Sequence, residues 1–129
     1  MTADEFADIL ERELVLYSNE ITNGLKKDVD IVSKEVNEEI KKHITFKQHT
    51  GKYVKAFRIK KSYYENKFNK KNVWYVAKPQ YRLTHLLENG HALAQGGRTK
   101  AYPHIKYGEE LAKRRMEELA KETIKNAGR

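Results

Sequence analysis

The chain has 129 residues, no cysteine, 39% hydrophobic and 34% charged residues, and a formal net charge of +8. This length suits one domain with a modest core, so so polar a composition suggests that burial is completed in an oligomer. The lack of cysteine excludes disulfide frameworks, thiol nucleophiles and cysteine-based zinc sites. The charge is segregated. Residues 1–40 carry 4 Lys/Arg against 11 Asp/Glu, a balance of −7, and residues 41–82 carry 13 against 1, a balance of +12. The start, Met1-Thr2-Ala3-Asp4-Glu5, is acidic where a secretory leader needs positive charge. No apolar run approaches the ~18–20 residues of a membrane span. The expectation is a protein made and used in a cytoplasm, with no membrane partner.

Thr2 and Glu5 have the spacing of a capping box, which predicts a helix start. Phe6, Leu10, Leu14, Tyr17, Ile21, Leu25, Val29, Val32, Val36 and Ile40 recur every three or four residues, so residues 1–45 read as a long amphipathic helix. Forty helical residues extend ~60 Å, more than a compact domain of this size spans. Either Gly24 breaks the helix or marks close packing, or part of the helix leaves the body and needs a partner.

Residues 51–78 read as antiparallel strands. A turn at His49-Thr50-Gly51-Lys52 leads into a strand over Tyr53–Lys60, whose alternation Lys55 spoils. A weaker strand covers Ser62–Phe68, Asn69-Lys70-Lys71-Asn72 suits a hairpin turn, and Val73–Ala77 is rich in β-formers until Pro79 stops it. Within residues 81–129, Tyr81–Asn89 reads as a short helix closed by Gly90 at its C-terminal cap. His91–Tyr102 reads as a mobile loop with a Gly96-Gly97-Arg98 tip. Pro103 opens a last helix that runs to about Asn126, with Ile105, Ala112, Met116, Leu119 and Thr123 on one side. The whole is one α+β domain over residues 1–129: a long N-terminal helix, a small antiparallel sheet of three or four strands, a short helix and a C-terminal helix.

Chemistry-bearing clusters are sparse. His85, Glu88, His91 and His104 fall near one another in sequence, but their spacing matches no zinc pattern and fits surface polar residues. Glu88, His91, Arg98 and Lys100 together suggest a small ribonuclease-like site, yet no Asp follows Asp30 to complete a carboxylate pair for magnesium. Gln95-Gly96-Gly97-Arg98-Thr99-Lys100 lacks the Lys-Ser/Thr that opens a helix in a phosphate-binding loop. The middle segment interleaves lysine with Tyr53, Tyr63, Tyr64, Phe68, Trp74 and Tyr75. That suits either sequence-independent nucleic-acid contact or ordinary strand alternation. The expectation is a protein without catalytic residues, metal or cofactor, with a basic nucleic-acid-binding module as the alternative.

The segment Tyr81-Arg82-Leu83-Thr84-His85-Leu86-Leu87-Glu88-Asn89-Gly90-His91, the Gly-rich loop after it, and Pro103-His104-Ile105 opening a charged helix resemble a phage family. It is the family of small neck or tail-completion proteins of long-tailed siphophages, often called minor tail components. Gly51-Lys52-Tyr53 is similar to the family's Gly-x-Tyr entry to the first strand, whereas His91 stands where many members place Thr. The resemblance covers roughly Gly51 to the C-terminus. It implies a structural virion protein of the neck that joins the head-closure complex to the tail terminator or tail tube. It also implies a ring, expected to be sixfold, around the DNA path, assembled in the host bacterial cytoplasm, with non-specific contact to DNA in the channel. Interface candidates are Leu14, Tyr17, Ile21 and Leu25 on the first helix, and Glu88, Gly90, His91, Gly96, Gly97, Arg98 and Pro103 in the resembling segment. The charge split adds an expectation of its own: the acidic helix of one copy meets the lysine-rich surface of the next.

Overall fold

The computed structural model describes residues 1–46 and 51–128, with residues 62–64 described by their backbone alone. The architecture is α+β. Helix α1 (Ala3–Lys42) is followed by a single helical turn α2 (Lys52–Lys55), and then by strands β1 (Phe57–Glu65) and β2 (Lys70–Val76). A 3-10 turn (Gln80–Leu83) leads into α3 (Thr84–Asn89), and α4 (Ile105–Asn126) ends the fold. The described residues contain no helix long and apolar enough to cross a membrane.

Helix α1 starts as its sequence requires. The Glu5 amide donates to Thr2 Oγ1 at 3.2 Å and the Thr2 amide donates to Glu5 Oε2 at 3.1 Å, closing a capping box. The helix then runs unbroken through Gly24 for 40 residues. Gly24 marks close packing instead: a methyl group built there would collide with the Thr123 side chain of α4. Helix α4 lies antiparallel on the second half of α1. Thr123 donates to Asp28 at 2.6 Å, Arg115 meets Glu35 at 2.7 Å, and the ring of Tyr107 stacks on His43 at 3.7 Å. At the far end of this contact Gly108 is buried against Val36 and Ile40.

An adjacent face of α1 grips the hairpin through polar side chains spaced every three or four residues. Lys26 donates to the Asn66 carbonyl, and Asp30 accepts from Lys70 and Asn72, each at 2.9 Å. Ser33 accepts from Asn72 at 2.9 Å and Asn37 accepts from the Trp74 indole at 3.0 Å. The Asn72 hydrogen bond and the Lys70 charge hold the Asp30 carboxyl below its usual range.

The sheet differs from expectation. The described residues form two strands, not three or four, paired antiparallel from Phe57↔Val76 to Glu65↔Lys70. The strand expected over Tyr53–Lys60 begins only at Phe57. Tyr53, Ala56 and Phe57 are all buried, an i, i+3, i+4 pattern that a helical turn satisfies and an extended strand does not. Gly51 enters that turn at φ 70°, while the turn expected at His49 and Thr50 lies outside the described residues. The two expected strands over 53–60 and 62–68 merge into β1, with an irregularity in register between Lys60 and Tyr64. The hairpin turn sits three residues earlier than expected. The Asn66 carboxamide accepts from the amides of Phe68 and Asn69, each at 2.9 Å, and so forms the turn itself.

The core is small. Among the described residues Val32, Ile40, Tyr53, Ala56, Phe57 and Val76 are the buried apolar side chains, and all but Val32 form one cluster where α1, α2 and the hairpin base converge. A β-carbon at Gly108 would lie 2.6 Å from Ile40 Cγ1, and Ile40 is 1% exposed with little room to move. Replacing Gly108 with valine is expected to cost roughly 1–3 kcal/mol by overpacking. A lower urea midpoint at unchanged slope checks this, and an unchanged midpoint contradicts the close approach of α1 and α4.

Candidate interaction site

Two sets of residues stand out, one sealed inside and one exposed. The sealed set joins three elements far apart in sequence. Glu88, in the last turn of α3, aims its carboxylate at the N-terminus of α4. It accepts from the amides of His104 and Ile105 at 2.9 Å and of Lys106 at 3.3 Å. Helix α4 has no cap from its own N-cap residue His104, so Glu88 replaces that cap from 16 residues away. Partial burial opposes the charge on Glu88. The three amides and His104 outweigh it and hold the carboxyl below the ordinary range.

His104 is 0% exposed. Its Nδ1 lies 2.8 Å from the Tyr102 carbonyl and 3.2 Å from Glu88, and its Nε2 lies 2.7 Å from the Tyr53 hydroxyl. Because a carbonyl only accepts, Nδ1 carries a proton, and in the neutral ring Nε2 accepts from Tyr53. Burial raises the pKa of the Tyr53 hydroxyl, as does the charge of Glu88, so Tyr53 remains a donor at neutral pH. Phe46 closes over both rings, 5.8 Å from Tyr53 and 6.0 Å from His104. Every polar atom of this cluster is engaged and none of His104 reaches solvent. The arrangement fastens α2, α3 and α4 together and offers His104 to no substrate.

The resembling segment therefore divides. Glu88 and Pro103 meet at the α4 N-terminus, but Pro103 precedes the helix rather than opening it, because His104 takes the N-cap position. Gly90 ends α3 at φ 71°, where a β-carbon would lie 2.6 Å from the Thr99 carbonyl oxygen; both facts require glycine. The loop expected to be without internal structure has a hydrogen-bonded base and tip. The His91 amide donates to Thr99 Oγ1 at 2.9 Å, the Thr99 amide donates to the His91 carbonyl at 2.8 Å, and Ala92 pairs with Arg98. Gly96 and Gly97, at φ 99° and 79°, turn its exposed tip. The His85–Glu88–His91–His104 grouping does not come together as a ligand set. His85 is exposed, His91 faces Thr99 and His104 is sealed. Among the described residues no group of three or more candidate ligands can hold a metal ion.

The exposed set is the first half of α1. Helix α4 ends beside Tyr17 and Glu20, with the Gly128 amide donating to Glu20 at 2.9 Å. The fourteen residues of α1 before Tyr17 continue past that point, ~21 Å of helix. Phe6 is 58% exposed and Leu14 59% exposed; Ile9, Leu10, Val15, Leu16 and Tyr17 are exposed as well. Glu11 borders this apolar surface, in the same groove as Leu10 and Leu14. Of the four helix candidates, Leu14 and Tyr17 belong to this arm, whereas Ile21 and Leu25 are half-buried on the packed part of α1. Next to the arm, the hairpin tip contributes exposed Phe68, which lines an apolar groove with Leu10 and Leu14. A second apolar exposure lies at the hairpin base, where Tyr75, Tyr81, Leu83 and Leu86 are each 41–43% exposed. Apolar exposure on this scale in a small chain marks interaction surfaces.

The Glu88 cap gives a pH prediction. A carboxyl depressed in the folded state contributes its full stability above its unfolded pKa of about 4.3, and loses it as pH falls through the lower folded value. Glu88→Gln is expected to be less stable than the parent by about 1–2 kcal/mol at pH 7. That deficit should shrink as pH falls below about 4. Urea titrations of both proteins at pH 7 and pH 3 measure it, and a pH-independent gap would show that charge is not what caps α4. Comparison with protein-family models, with curated proteins and with solved structures finds no match to this chain.

Proposed function

We propose that this chain is a structural assembly protein of a tailed-phage neck, joining the head-closure complex to the tail terminator or tail tube, and that it catalyses no reaction. The observation that carries the assembly part is the protruding arm. An amphipathic helix that leaves its own body with Phe6, Leu10 and Leu14 exposed needs a partner surface to bury them. The neck assignment is carried by the resemblance of residues 51–105 to that family. The role of the sealed cluster in this reading is rigidity: Glu88, His104 and Tyr53 hold the body in one shape on which a ring can register. The ring is proposed to be sixfold around the DNA path, formed in the host bacterial cytoplasm and retained in the virion neck.

A second reading has its own observation. The outer face of the hairpin carries Arg58 and Lys60 on β1 and Lys71 and Tyr75 on β2, a basic, partly aromatic surface that suits a nucleic-acid backbone. In a ring, that surface and the channel DNA are compatible neighbours.

Deleting the gene from the phage genome is expected to leave filled heads and finished tails that do not join, visible by electron microscopy of lysates, with infectious titre restored by the gene supplied in trans. Normal particles from the deletion strain would refute the neck role. The nucleic-acid reading predicts binding to duplex DNA that weakens steeply between about 50 and 200 mM salt. Absence of binding at low salt removes it and leaves the assembly role untouched.

A further inference from the structure

The arm and the hairpin-base exposure lie at opposite ends of the molecule. The second exposure is a groove of about 720 Å³ between β2 and the turn leading into α3, lined by Trp74, Tyr75, Ala77, Tyr81 and His85 among others. Trp74 is tied to Asn37 of α1 by a 3.0 Å hydrogen bond, which fixes the groove beside the C-terminal part of that helix. From Leu10 to Asn37 along the same continuous helix is about 40 Å. A straight helix cannot fold back on itself, so the arm of one chain never reaches its own groove.

The two surfaces match in chemistry. The groove has an apolar floor and the exposed cation Lys78 in its lining, with exposed Arg82 beside the ring of Tyr81. The arm has a broad apolar face bordered by Glu11, which lines the same groove as Leu10 and Leu14, and residues 1–16 carry five Asp/Glu against one Lys/Arg. Arm against arm would bury apolar surface but bring like charges together. Arm in groove buries the same surface and places the bordering Glu11 carboxylate beside the basic rim. An amphipathic helix in a groove is a common recognition mode, read through anchors spaced every three or four residues, and Phe6, Leu10 and Leu14 have that spacing.

We propose that the N-terminal arm of one copy docks in the groove between β2 and α3 of the next copy, with Leu10 against Tyr81. This rests on the assembly reading above and adds the direction of the contact. It is heterologous, head to tail, so repetition closes a ring or extends a filament according to the rotation per copy.

The chain has no cysteine, so introduced thiols report the contact without background. Leu10→Cys and Tyr81→Cys proteins are prepared separately, checked for parental circular dichroism, mixed at physiological salt and oxidised. The expected result is a disulfide-linked product containing one chain of each, at least tenfold more abundant than the product of either protein alone. Adding Lys78→Glu and Arg82→Glu to the Tyr81→Cys protein should lower that product about tenfold. Efficient linking of Leu10→Cys to itself would show that arms pair with one another, overturning the groove assignment while self-assembly stands. Assembly in sedimentation without the mixed product overturns it in the same way. A protein that stays monomeric at every concentration, and instead binds duplex DNA through Lys78 and Arg82, overturns both the inference and the ring reading.

Discussion

The close approach of α1 and α4 is the constraint on which the remaining structure depends. Gly24 and Gly108 lie near opposite ends of the contact, and each faces a side chain that a β-carbon would displace: Thr123 for the first, Ile40 for the second. Between them Asp28 accepts from Thr123 and Glu35 meets Arg115, so the polar groups drawn into the interface are paired. Because α1 is thereby held straight and fixed to α4, its other face is a rigid rail. The hairpin docks on that rail through Lys26, Asp30, Ser33 and Asn37, in one register rather than several.

That rail has a consequence for exposure. The core gathers near the C-terminal half of α1, where Ile40 meets Tyr53, Phe57 and Val76. Among the described residues, the hairpin tip at Phe68 is what lies against Leu10 and Leu14 of the arm. The helix nevertheless keeps its apolar side chains there, at a composition that is otherwise strongly polar. Apolar groups held in water by a rigid helix gain free energy on docking without the cost of ordering a flexible segment. In the proposed contact the charge pattern favours the basic hairpin side over a second acidic arm.

The Glu88–His104–Tyr53 cluster, centred on the fully buried histidine, shows polar residues fastening the body together. A carboxylate at a helix N-terminus is favoured by three free amides and the helix dipole. Glu88 occupies that place on α4 and, through His104, is linked to α2. Removing water from such a cluster makes each unmade hydrogen bond costly, so the cluster holds its members in a single geometry.

Local patterns determined a good part of this protein from the sequence alone. The Thr2/Glu5 capping box, the three-and-four spacing along α1, the Gly90 stop and the inward face of α4 are all set by residues close in sequence, whose spacing encodes helix geometry directly. The charge split was equally legible. The tertiary structure decided the rest. Tyr53, Ala56 and Phe57 read as strand until burial against Phe46 and Ile40 made a helical turn the better solution. The polar rail Lys26–Asp30–Ser33–Asn37 looks like solvated surface until a hairpin forty residues later supplies its partners. Glu88, legible as one more charge on a short helix, caps a helix 16 residues on, and Tyr53 meets His104 across 51 residues. Which half of the apolar stripe is covered was also undecidable locally, since Leu14 and Leu25 have the same chemistry. The body packed on the second half of α1 leaves Leu14 exposed and Leu25 half-buried. Spacing reports which face a side chain takes, and long-range packing alone reports what stands opposite that face.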